Sequence, residues 1–146
     1  MTPRSAAATE AARRLWSGAT GGSATPGDVA AAATRLCNQL RAGLGRWVGG
    51  EGYRALLARA HNQTREEHPA LGSLSCDRGD EPVTAEAVRA HGTAAAAAAI
   101  VALVAALIDL LGRIVGEEMA VRLVEQAGSP SPRGNLRPEI EGGRDG

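Results

Sequence analysis

The residues of this chain best suited to chemistry are three histidines, His61, His68 and His91, and two cysteines, Cys37 and Cys76. Together they are the only soft metal ligands present. A structural zinc site draws on closely spaced pairs such as Cys-x-x-Cys or His-x-x-x-His, and no such pair occurs. His61 and His68 stand two helical turns apart, His68 precedes Pro69 at a helix end, and no metal site is expected. Cys37 falls on an apolar helical stripe and Cys76 in a polar stretch, so the two read as free thiols rather than a bridge.

Ala90-His91-Gly92-Thr93-Ala94 resembles the histidine segment of phosphotransfer helical bundles. The resemblance covers a handful of residues and implies His91 as a phosphoacceptor, with Arg89 as the neighbouring cation that phosphate requires. The family's Lys-Gly after the histidine is missing, because Ala94 and Ala95 stand there. Gly43-x-Gly45 and Gly49-Gly50-x-Gly52 have neither the preceding strand nor the following Lys-Ser/Thr of a phosphate loop, and read as helix cap and turn. Glu66-Glu67 and Glu117-Glu118 have no partner spaced for acid/base work and read as solvated helix ends. No Gly-x-Ser-x-Gly elbow occurs. No catalytic residue and no cofactor is expected, and the balance is against an enzyme.

The chain of 146 residues carries a formal net charge of zero. That argues against bulk attraction to nucleic acid or to acidic membranes. Trp16, Trp47 and Tyr53 are its only aromatic residues, so base-stacking platforms are missing too. All sixteen basic residues are arginine, a usage typical of GC-rich bacterial genomes. The first residues contain no apolar stretch long enough for a signal-peptide core, and the expected location is cytoplasmic.

The elements that would position these residues are helices. Residues 1–24 end in Ser17-Gly18-Ala19-Thr20-Gly21-Gly22-Ser23 and read as a disordered tail, with at most a transient helix from Thr9 to Trp16; residues 128–146, rich in Pro and Gly, read as a second tail. Between them, 25–127 reads as one helical domain with helices over about 27–48, 51–67, 84–112 and 117–127. Thr25 is an N-cap with Pro26 in the first helical position. Val29, Ala33, Leu36, Leu40, Leu44 and Trp47 then make one apolar face. Gly49 ends that helix. Tyr53, Leu56, Leu57, Ala60 and Thr64 make the stripe of the next, which Pro69 closes. Residues 69–83 form a loop with Leu71 and Leu74 as anchors, and Thr84 caps the third helix. In the fourth, Met119, Leu123 and Val124 or Val121 face inward.

Residues 29–60 overlay residues 96–127 without gaps. Leu36, Leu40 and Leu44 fall on Leu103, Leu107 and Leu111. Gly45-Arg46-Trp47-Val48-Gly49-Gly50-Glu51 falls on Gly112-Arg113-Ile114-Val115-Gly116-Glu117-Glu118. Each unit is a long helix, a glycine turn and a shorter helix, and two such hairpins can bury their apolar faces on each other as a pseudo-duplicated four-helix arrangement. In the shared turn motif, Arg46 and Arg113 complement the negative end of one helix, and Glu51 and Glu118 the positive end of the next; Gly49 and Gly116 supply the break.

Residues 94–108 are uninterrupted apolar, but nine of them are alanine and Asp109 follows. Asp109, Arg113 and Glu117 make a charged stripe at four-residue steps. Ala102 and Ala106 extend that small-residue side, while Ile100, Leu103, Leu107, Leu110 or Leu111, and Ile114 form the other. This grading fits a buried helix better than a membrane span, although a small membrane-associated protein using residues 94–114 stays an alternative.

The strings Val48-Gly-Gly-Glu-Gly-Tyr-Arg-Ala-Leu-Leu-Ala-Arg-Ala60, His68-Pro-Ala-Leu71 and Leu110-Leu-Gly-Arg-Ile-Val-Gly-Glu-Glu-Met-Ala-Val-Arg-Leu-Val124 resemble a group of uncharacterised small all-helical proteins of GC-rich bacteria. The resemblance spans about residues 27–127 and carries no activity or site residues with it. The function expected is a non-enzymatic helical interaction or regulatory module, meeting a protein partner or a second copy of itself through helical faces. Phosphotransfer through His91 is the alternative in signalling.

Overall fold

The computed structural model describes residues 6–22, 25–69, 86 and 88–128. Among them is no strand, and the helices whose bounds are described are α1 (Ala6–Thr20), α2 (Pro26–Thr64), α3 (Thr93–Val115) and α4 (Glu117–Gly128). The chain is all-α, as the periodicity predicts.

α2 starts where its capping residues place it. The Thr25 side chain accepts from the Asp28 N–H at 3.3 Å, and Pro26 occupies the first turn. The helix runs to Thr64 but is broken at Gly49, whose φ of 81° and ψ of 160° leave the helical region. The break makes two limbs, 26–48 and 50–64. α3 ends at Gly116, with φ 97° and ψ 148°, and α4 starts at the next residue. The two turn glycines thus share one backbone conformation, in the region that L side chains avoid. The helix expected over 84–112 is interrupted at Gly92 (φ 92°): residues 86 and 88–91 are helical, α3 runs on from Thr93, and residues 84, 85 and 87 lie outside the described residues. The Thr84 cap, Leu71 and Leu74, most of the 69–83 loop and the tail beyond residue 128 lie outside the described residues.

The N-terminal segment departs from its reading as a tail. Ala8, Ala11, Ala12 and Leu15 recur at the spacing of one helical face and are all buried. The stripe is built mostly of alanine, which lets α1 lie close to its neighbours. The glycines of the apparent linker close the helix instead: the Gly21 N–H donates to the Ser17 carbonyl at 3.0 Å, and Gly21 and Gly22 both have positive φ. Two arginines fasten α1 to the rest. The Arg14 guanidinium meets the Glu125 carboxylate of α4 at 2.5 Å, and Arg35 of α2 donates to the Ala19 carbonyl in the last turn of α1 at 2.6 Å. The hydrogen bond to Glu125 holds the Arg14 pKa above its usual value.

Every helix touches the other three. Their shared core holds Leu36, Leu40 and Leu44 of α2, Leu103, Leu107, Ile108 and Leu111 of α3, and Val124 of α4, with Tyr53 and Leu57 from the second limb of α2. Burying each such aliphatic side chain contributes roughly 1.5–3 kcal/mol. Leu110 and Leu111 are both buried, so the inward face of α3 is wider than a single stripe. Where α2 passes α4, a Cβ built on Gly43 would lie 2.4 Å from the Ala127 Cβ; only glycine permits that approach.

Three residues expected on inward faces are exposed: Trp47 at 67%, Ile114 at 65% and Met119 at 44%. Trp47 and Ile114 each occupy the last turn before a glycine break, past the reach of the packed helices. Met119 occupies the first turn after one. The periodicity continued beyond the region where packing could use it.

Candidate functional site

A groove of about 370 Å³ opens between α1 and α3. Its floor is Ala97, Ala98, Val101, Ala102 and Ala105. These recur at steps of one, three and four, which places them on one side of α3. With side chains this small, the floor lies close to the helix backbone and leaves room above it for other side chains.

Thr9 and Arg13 of α1 and His68, just beyond α2, line the groove with that floor. Consecutive residues on a helix point about 100° apart, and α1 uses that difference. Arg14 turns toward α4 and pairs with Glu125 and Glu10. Arg13 turns the other way, is exposed, and has no ion pair among the described residues. His68 is held by its backbone, whose N–H donates to the Thr64 carbonyl at 2.9 Å. Thr64 itself is fully buried, and its hydroxyl donates to the Ala60 carbonyl at 2.8 Å. That bond fixes the end of α2 and hence the place of His68. Among the described residues, no carboxylate lines the groove. It can therefore receive small apolar side chains against the alanines and an anionic group between Arg13 and His68.

The residues singled out by sequence lie elsewhere. Arg46, Glu51, Arg113 and Glu118 are all exposed beside the Gly49 and Gly116 breaks. Arg113 pairs with Asp109 at 3.9 Å, one step of the expected charged stripe. They act as terminal charges of their helices. His91 is exposed in the turn at 88–91, next to exposed Arg89, and does not line the groove. Among the described residues, no group of three His, Cys, Asp or Glu is placed to hold a metal ion. α3 is long and apolar enough to cross a membrane, and 61% of its most apolar stretch is buried against the rest of the protein.

Cys37 corrects the expectation of two free thiols. It is disulfide-bonded, in the core of the first α2 limb. Its surroundings look like those of an inert buried cysteine, which is why the sequence reads as it does.

Thr9 and Arg13 escape a reading of the sequence because the helix that carries them was taken for a tail. The floor has a visible signal, the run of small residues from Ala94 to Ala106, but one helix alone does not define a groove. Comparisons with protein-family models, with curated proteins and with solved structures find no match.

Proposed function

We propose that this protein is a non-enzymatic helical interaction module whose α1/α3 groove receives a helical segment of a partner protein. The carrying observation is the groove itself: a small-residue floor along one helix, flanked by His68 and by Arg13, with no ion pair to Arg13 and no carboxylate in the lining among the described residues. An amphipathic helix laid in such a groove buries one or two side chains per turn. Its acidic residues would meet Arg13, which favours acidic partners and speeds their encounter.

Site-specific photo-crosslinking tests this. A benzophenone side chain at Ala98 or Ala102 is expected to give one adduct of discrete mass in cells that make the protein, with the crosslinked peptide carrying Asp or Glu within a turn of the attachment point. Arg13→Glu should weaken that adduct. The same probe at Ala42, an exposed position of α2 outside the groove lining, is the control. Equal labelling at all three positions would sink the proposal.

A second copy of this chain is the other partner that an observation favours. Ile114 and Met119 flank one glycine break, Val115 beside them is 41% exposed, and Trp47 holds the matching position at the other break. Exposed large apolar side chains grouped along the chain at a break, as Ile114, Val115 and Met119 are, are the kind that association covers. Light scattering across a concentration series distinguishes monomer from dimer, and Ile114→Ser should return a dimer to monomer.

We read the two hairpins as copies of one unit. The matching backbone of Gly49 and Gly116 supports this, as does the burial of Leu36, Leu40 and Leu44 and of their counterparts Leu103, Leu107 and Leu111.

A further inference from the structure

Every residue from Arg113 to Met119, at the junction of α3 and α4, is exposed. Two kinds of surface meet there. Ile114, Val115 and Met119 present apolar side chains to solvent. Glu117 and Glu118 stand in the first turn of α4 and make no ion pair among the described residues. Arg113 is engaged by Asp109, which leaves the junction acidic. The α1/α3 groove offers the complementary set: a floor of small apolar side chains, Arg13 with no ion pair among the described residues, and hydrogen-bonding groups on Thr9 and His68. The two surfaces cannot meet within one molecule. Ala105, at the near end of the floor, and Ile114 belong to one unbroken helix, about 14 Å apart along its axis.

We propose that the groove's occupant is a second copy of this chain: the junction of one molecule docks in the groove of the next, with its apolar side chains on the alanine floor and a carboxylate of Glu117 or Glu118 on Arg13. The proposal rests on the groove being a docking site, as proposed above, and names what fills it. Opposite charges guide the register of the contact, and the burial of Ile114 and Met119 against the floor supplies its apolar part. The chain's formal net charge of zero means that no bulk repulsion opposes the approach of two copies. Because the two surfaces differ, the contact is head-to-tail. A docked pair keeps an open groove at one end and an open junction at the other, so it goes on adding copies into rings or open chains.

Light scattering of the purified full chain over a concentration series tests this. The parent's mean mass should rise past that of a dimer, and added salt should weaken the rise. Arg13→Glu spoils the groove alone, and Ile114→Ser with Met119→Ser spoils the junction alone. Each change lies on the surface, and each should weaken self-association about tenfold. An equimolar mixture of the two variants holds one intact groove and one intact junction per pair, so it should form a dimer and stop there. A benzophenone side chain at Ala98 in the purified protein should give an adduct of twice the chain's mass, with the crosslink in the tryptic fragment 114–122. A parent that stays monomeric or stops at a dimer, a variant mixture that stays monomeric or grows as the parent does, or a crosslink confined to another fragment would each overturn the proposal. If the parent is monomeric and the Ala98 probe in cells captures a different protein, self-docking fails and the groove reading stands. Equal labelling from Ala98, Ala102 and Ala42 removes both.

Discussion

Replacing Gly43 with alanine is expected to separate two helices that the fold holds in contact, and replacing Gly45 in the same way is not. The new Cβ at position 43 would lie 2.4 Å from the Ala127 Cβ and 2.8 Å from the Ala127 Cα. Carbon atoms pack at about 3.5–4.0 Å, so α2 and α4 must part by about 1 Å. The obstruction includes backbone, which cannot rotate aside. Overpacking of this kind costs about 1–3 kcal/mol. Against it stands the gain of about 1 kcal/mol from replacing glycine by alanine within a helix. A Cβ on Gly45 meets nothing within 4 Å, so Gly45→Ala keeps that gain and should stabilise by about 0.5–1 kcal/mol. The propensity term cancels between the two variants, and their difference isolates the crossing of α2 and α4, about 1–3 kcal/mol. For a domain of this size that is a gap of about 4–12 °C in melting temperature. Urea unfolding of both variants, with m-values compared to confirm a common transition, measures it. If Gly43→Ala proves as stable as Gly45→Ala, the two helices do not cross at that residue, and the packing of the second hairpin on the first is wrong.

The Thr34 hydroxyl is buried without a partner among the described residues, so Thr34→Val should raise stability by about 1 kcal/mol with an unchanged urea m-value. Leu107→Ala empties a position that is 1% exposed and should cost about 2–5 kcal/mol, whereas Trp47→Ala should shift unfolding by less than about 0.5 kcal/mol; similar effects at the two positions would contradict the placement of the core. Gly49→Ala and Gly116→Ala force a Cβ into positive φ, and each should cost about 1–2 kcal/mol in urea. Because the two turns share a backbone, a large loss at one and none at the other would argue that the hairpins are not equivalent.

How much was legible in the sequence follows from which signals are local. Thr25 and Pro26 mark a helix start through their own side chains, and Gly49 and Gly116 mark breaks through the freedom they alone possess, so these boundaries could be read directly. Leu36, Leu40, Leu44 and their counterparts could be placed because bulky residues at helical spacing have one way to be buried. α1 could not, because its buried face is Ala8, Ala11, Ala12 and Leu15, and alanine is nearly indifferent to water or core. The outward turn of Trp47 and Ile114 depends on where neighbouring helices end, which no periodicity records. The groove fails for both reasons together. Its floor is mostly alanine, and Thr9 and Arg13 come from a helix whose buried face is mostly alanine. No local pattern around Cys37 announces its bond.

The groove exists only if residues 6–20 are a folded helix packed on α3. Amide hydrogen exchange of the free protein measures this residue by residue. The account predicts slow exchange along α1 from about Glu10 to Thr20, comparable with the first limb of α2. Exchange across that stretch at the rate of an unfolded chain would contradict it, and would remove the wall that carries Arg13 and with it the proposed binding site.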